Sequence, residues 1–368
     1  LADEVEEGAQ FGALQTLTEA PMAYPMQFQQ HEYQAVEWTW TIRRNQHLLR
    51  PDEACIDSIN GVIGRMQSLY GEEFQLYYSN SESTHIHIIG AALDPQVAAA
   101  VKRHLATNIA KEIQALRGLD RGGIWARRCR SIPILSDLNK RLRYLVSHGF
   151  KSGLVAKITD WPGLGMLDVV IKGKALTGTW YNRTGYGNDL WDWKRRKRAI
   201  KKARISKRAK AARLAALYTE KPQLEAYATV YPVTLTPPPT MAGLSPLEQR
   251  AEWQKLVDEA EVEHAPARRK SGAKRPVLGL AKVLATNPLK IPSKRPRRTA
   301  APWAHGTLPE KQAWKARYHA CTSVFRGCMS RLAWGAPDVE FRWENWTPLA
   351  LADLRAAGPE VMVACAAA

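Results

Sequence analysis

Residues 74–95 read Phe74-Gln-Leu-Tyr-Tyr-Ser-Asn-Ser-Glu-Ser-Thr-His85-Ile-His87-Ile-Ile-Gly-Ala-Ala-Leu-Asp94-Pro95. Phe74 to Tyr78 and His85 to Ala91 have the apolar and aromatic make-up of two strands, and Asn80-Ser81-Glu82-Ser83 between them reads as a polar turn. Asp94-Pro95 predicts a helix start, an N-cap followed by proline at the first helical position. Val97, Val101, Leu105, Ile109 and Ile113 then mark its buried stripe at four-residue spacing. Upstream, Val36, Trp38, Trp40 and Ile42 alternate with Glu37, Thr39, Thr41 and Arg43, the period of a half-buried strand, and Pro51 opens a helix running to about Tyr70. Downstream, a further strand is expected around Ile124 to Leu135, and Ser136 is expected to cap a short helix ending at Gly149. Alternating strands and helices from 33 to about 160 predict an α+β domain.

The chain has 368 residues, with 53 Lys and Arg against 35 Asp and Glu, a formal charge of +18. Such an excess favours a polyanionic partner. Lys194 to Arg213 holds twelve basic residues and no acid, and His264 to Pro309 again lacks any acid, its Lys and Arg lying among prolines, so an extended, mobile arm is expected there. Leu167 to Ile171 and Leu176 to Tyr181 read as a hairpin, Thr236-Pro-Pro-Pro-Thr240 as a stiff linker, and Ser245 to about Glu263 as an amphipathic helix carrying Leu247, Trp253, Leu256 and Val257. A last helix from about Leu308 to Trp334 and the tail Phe341 to Trp346 follow. The divisions are thus 1–30 as a lead-in, 31–165 as the domain that carries chemistry, and 166–235 as an aromatic hairpin with a basic helix. Residues 236–307 form the linker, helix and basic arm, and 308–368 the final helix and tail. Five cysteines with no Cys-x-x-Cys give neither a disulfide framework nor a zinc ribbon. No apolar stretch is long enough for a membrane helix and the first residues are acidic, so a cytoplasmic, nucleoid-associated protein without a membrane partner is expected.

His85 and His87 stand at i and i+2 on a predicted strand, so their imidazoles leave one face and can share a metal; a solvated or hydrogen-bonded pair is the alternative. In the helix from Ser136, Leu138, Leu142 and Leu145 define the buried side, which puts Tyr144 and His148 together on another face, one turn apart. A boundary tyrosine anchoring the helix is the competing reading for Tyr144.

The succession His85-Ile-His87, a helix, Trp125-Ala, Tyr144-x-x-x-His148, Gly153-Leu-Val and Asp160-Trp-Pro-Gly resembles the REP-associated tyrosine transposases over residues 33 to about 165. These are single-tyrosine HUH nucleases related to the small single-strand insertion-sequence transposases. Their pattern is Tyr-x-x-x-Asn-Pro-Val-x-x-Gly-Leu-Val followed by Trp-Pro. Tyr144 falls on the family tyrosine and His148 on its asparagine, while His148-Gly149-Phe150 departs from Asn-Pro-Val. The resemblance implies a ferredoxin-like domain, an antiparallel sheet with helices on one face, plus a basic, mainly helical C-terminal extension. It implies Tyr144 as a nucleophile forming a 5′-phosphotyrosine link, and His85, His87 and His148 as ligands of Mg²⁺ or Mn²⁺. Single-stranded or hairpin DNA is the implied partner, and a homodimer is compatible with it. Three nitrogen ligands favour Mn²⁺ or a later first-row ion over Mg²⁺. Lys194, Arg195, Arg196, Lys197, Arg198, Lys201, Lys202 and Arg204 are expected on phosphates, with Trp191 and Trp193 beside them as candidate stacking surfaces. The alternative is a solvated basic helix with the tryptophans in a small core, the favoured reading for the individual tryptophans. The second hypothesis is a catalytically inactive, domesticated nucleic-acid-binding protein on the same fold.

Overall fold

The computed structural model describes residues 29–119, 122–272, 276–292, 304–333 and 339. The lead-in up to residue 28, the basic residues 294–298 and the tail 341–346 lie outside the described residues. Strand β1 (Gln34–Thr41) is followed by α1 (Glu53–Tyr70), β2 (Phe74–Glu82), β3 (His85–Ala92), α2 (Pro95–Leu116) and β4 (Arg130–Pro133). These four strands make one antiparallel sheet in the order β2-β3-β1-β4. The Asp52 and Asp94 side chains cap α1 and α2, accepting from the amides of Cys55 and Val97.

Alternation along the strands gives the sheet two different faces. Trp38 and Trp40, wholly buried, lie on the face covered by α2: the Lys102 ammonium stands over the Trp38 ring, and Trp125, which packs on Trp40, donates its indole N–H to the Ala106 carbonyl. The opposite face carries Glu37, Thr39, His85 and His87, with Thr39 paired to His87 and Thr41 to His85. The resemblance implies helices on one face only. The second face is also partly covered, because Tyr78 packs against Trp253 of a later helix and the Asn80 amide donates to the Leu145 carbonyl.

Several local expectations change. Strand β2 runs on through Glu82, since Ser79, Asn80 and Ser81 find tertiary partners in the His87, Leu145 and Trp161 groups instead of forming a turn. The helix after Ser136 is α3 (Leu138–Val146), followed at once by the single turn α4 (His148–Lys151). Ser136 does not cap it but donates to Glu310. Gly149 is no helix terminus: a Cβ there would lie 2.5 Å from the Trp161 ring, so glycine is required by close packing. Leu167 to Ile171 lies in a helix, α5 (Met166–Lys172), which buries Met166 and Val170 four residues apart.

Strand β5 (Leu176–Tyr181) pairs instead with β6 (Ala228–Val233), far along the chain, and α6 (Arg183–Lys202) and α7 (Lys207–Thr219) lie between them. The β5–β6 ribbon rests directly on α1 where Gly61 meets Gly178; a Cβ on either would fall 2.1 Å from the other's backbone neighbourhood. Helix α8 (Pro246–Gly272) buries Trp253, Leu256 and Val257 but leaves Leu247 exposed, against expectation. The basic arm is not extended where it is described. Residues 276–292 dock on the domain through α9 (Leu280–Ala285), with Val283 buried, the Leu278 amide donating to Gly153, and Gln46 reaching the Leu289 carbonyl. Helix α10 (Leu308–Ala333) ends the described chain apart from residue 339. Among the described residues no helix is long and apolar enough to cross a membrane.

Candidate active site

The β3 strand and the α3–α4 junction bring His85, His87 and His148 together. One ring nitrogen from each lies within 4.8 Å of the others, and the ring centroids are 4.6–5.1 Å apart. Helix α3 ends at Val146, yet Ser147 keeps helical dihedrals, so the one-turn relation of Tyr144 to His148 survives. The Tyr144 ring is 4.9 Å from that of His148 and 6.4 Å from that of His87.

Each imidazole has its Nδ1 side engaged. His87 Nδ1 is 2.8 Å from Glu37 Oε1 and 3.0 Å from Thr39 Oγ1, His85 Nδ1 is 2.9 Å from Thr84 Oγ1, and His148 Nδ1 is 3.4 Å from Glu82 Oε1. The Glu37 carboxylate on His87 Nδ1 holds the proton there and leaves Nε2 as the lone-pair nitrogen of that ring, as a metal ligand requires. The donor set therefore fits a divalent first-row ion.

Charge in this pocket is tightly arranged. Burial would raise the Glu37 carboxyl, but hydrogen bonds from His305 and His87 and the charge of Arg141 overcome it and hold the group well below the usual carboxylate range. Glu82 shows the reverse: burial pushes it up to about 7, only partly offset by the Ser152 hydroxyl and the charge of Lys151. Burial, with the charge of His87 adding to it, pushes His85 down to about 3, and His148 also falls well below its ordinary value for the same reason. Burial raises the Tyr144 phenol, with Arg141 opposing and Glu37 and Glu82 adding to the rise. Arg141 and Lys151 both stand by its ring, at 4.2 and 4.3 Å from the centroid.

The depressed His85 predicts a pH dependence for the metal-free chain. An unfolded histidine takes its proton near 6.5 and the folded one only near 3, so the unfolded state binds more protons in that window. The His85 share of the stability, present above pH 6.5, is expected to be lost as the pH drops toward 3, with His148 adding to the loss and the raised Glu82 opposing it between about 7 and 4.5. The readout is a melting temperature in chelator that declines most steeply below pH 4.5.

Glu37, Lys151 and His305 are not legible as site residues in the sequence. Glu37 reads there as one of the polar residues of a half-buried strand, whereas it is 2% exposed. Arg141 has a usable signal, its i, i+3 spacing from Tyr144. The predicted nucleic-acid residues lie elsewhere. Arg183 at the start of α6 makes a bidentate pair with Glu112 of α2, so the α6–α7 hairpin is rooted in the layer across the sheet from the histidines. Lys194, Arg198, Lys201 and Lys202 are solvent-facing, whereas Arg195 pairs with Asp192 and Arg196 with Glu220, acids just outside the basic run. Lys197 is held between the Trp193 and Tyr218 rings, and Arg204 lies between the two helices. Trp193 is a correction: it is buried between α6 and α7, its indole donating to the Leu217 carbonyl, and offers no open stacking surface. Trp191 is exposed, with Arg195 against its ring.

No family model matches the chain, and no curated protein matches it. Its structure is similar to a solved REP-associated tyrosine transposase bound to a REP hairpin, at 20% identity and a TM-score of 0.31, over 38% of this chain and 79% of that one. At that TM-score the likeness decides neither fold nor chemistry.

Proposed function

We propose that the protein is a metal-dependent single-strand DNA endonuclease and strand transferase of the tyrosine HUH type, cleaving and rejoining DNA at hairpin-flanked sites. The observation that carries this reading is the convergence of Tyr144 on the three-imidazole cluster, 4.9 Å ring to ring from His148. The β-α-β-β-α-β order with the sheet read β4-β1-β3-β2 supports a ferredoxin-like frame for it. His85, His87 and His148 would hold the divalent ion, which when bound would withdraw charge from the oxygens of the scissile phosphate.

The Tyr144 hydroxyl gives up its proton as its oxygen forms the bond to phosphorus; the bond from phosphorus to the 3′-oxygen breaks, and that oxygen takes up one proton, so the step is balanced. The products are a 5′-phosphotyrosine bond and a free 3′-hydroxyl. Because the bond energy is retained, another 3′-hydroxyl can attack the same phosphorus and release the phenol without ATP. Arg141 offsets part of the cost that burial places on the phenolate, and Arg141 and Lys151, both beside the ring, would neutralise the incoming phosphate. The decisive experiment is incubation with short single-stranded and hairpin DNAs plus Mn²⁺. A covalent protein–DNA band supports the reading, and binding without a band supports the inactive DNA-binding alternative.

The α6–α7 hairpin then serves as a polyanion surface remote from the chemistry. Replacing Lys194, Arg198, Lys201 and Lys202 with glutamine is expected to flatten the slope of log K on log salt by about 0.7 for each single-strand phosphate that is no longer neutralised. Choice between sequences should survive, since groups that bind phosphate do not read bases. An unchanged salt slope would make the hairpin a scaffold or a solvated helix pair.

A further inference from the structure

Glu37 is a hub whose partners come from three separate parts of the chain. Oε1 faces His87 Nδ1 at 2.8 Å; Oε2 accepts from Arg141, whose guanidinium also stands by the Tyr144 ring, and from His305 Nε2 at 2.9 Å. His305 is 268 residues away in sequence. It is seated by its backbone, its amide donating to the Pro133 carbonyl and its carbonyl accepting from Leu135, both at 2.8 Å, which adds a parallel bridge beyond the edge strand β4. Behind it Ala304 is fully buried with Trp314 of α10 and Leu135. Glu310 closes the start of α10 by accepting from Thr307 and, at 2.6 Å, from Ser136, which leads into α3.

We infer that His305 is a positioning residue of the active site. Through Glu37 it fixes the ring of His87 and the guanidinium of Arg141, so docking of the segment that opens α10 sets the affinity for the metal. This rests on the metal-site reading proposed above. A carboxylate with one donor on Oε1 and three on Oε2, two of them from Arg141, cannot turn; with His305 gone it can swing toward Arg141 and release His87, which then loses its fixed tautomer.

The test uses the full chain, with His305→Ala and His305→Gln titrated with Mn²⁺ by calorimetry and the His87 ring nitrogens followed by ¹⁵N NMR without metal. The alanine variant is expected to bind Mn²⁺ about 10–100-fold more weakly and to shift the His87 ring signals. Glutamine, whose amide can still donate to Glu37, should recover most of the affinity and the native signals. Native Mn²⁺ affinity in His305→Ala, or glutamine no better than alanine, overturns the inference while the metal reading stands. If His87→Ala binds Mn²⁺ as tightly as the native chain, the metal reading itself fails and the inference falls with it.

Discussion

Tyr144→Phe is expected to leave no covalent protein–DNA band above background in Mn²⁺, while affinity for the same hairpin changes by no more than about 1 kcal/mol, the net worth of one hydrogen bond. The substitution removes a hydroxyl and no charge, and the ring between Arg141 and Lys151 stays in place. Phenylalanine keeps the packing against His148 as well, so a folding defect does not compete as an explanation. Denaturing gels after incubation with labelled DNA read the adduct, and filter binding reads affinity. An undiminished band would mean that another residue is the nucleophile and that Tyr144 is a boundary tyrosine.

Alanine at His87 is expected to abolish Mn²⁺-stimulated cleavage and to weaken Mn²⁺ binding by more than the ~10–100-fold that loss of a supporting hydrogen bond costs. Two effects add at this position: a proposed ligand is removed, and Glu37 is left buried with one donor fewer. His85→Ala should equally abolish cleavage with a smaller cost in stability, since its Nδ1 partner is the Thr84 hydroxyl and not a carboxylate. His148→Asn should retain part of the activity, because an amide oxygen can replace one nitrogen ligand. Calorimetric titration with Mn²⁺, alongside cleavage assays on each variant, separates these outcomes. Unchanged Mn²⁺ binding in either strand variant would sink the metal site.

Much of the sheet and both helices behind it could be read locally. The alternation around Trp38 and Trp40 and the Asp94-Pro95 cap express backbone periods of two and 3.6, properties of neighbouring residues that need no distant partner. The same holds for the pairings within the site: His85 with His87 by strand spacing, Tyr144 with His148 by helix spacing. Gly149 shows where local reading stops. Its neighbours suggest a helix end, and only the Trp161 ring pressed against it explains the glycine.

The sequence by itself determined the two residue pairs, the α+β pattern and the basic runs. Tertiary structure decided that the two pairs share one pocket, because a helix after β4 can lie on either face of a sheet and only packing selects the face. It decided that Leu167 to Ile171 is helical and that β5 pairs with β6, since a short apolar run suits either element until a partner exists. It placed the α6–α7 hairpin across the sheet, through an Arg183–Glu112 pair between segments 71 residues apart. And it buried Glu37: a carboxylate at an alternating position looks solvent-facing until His87, Arg141 and His305 arrive from distant segments to compensate its charge.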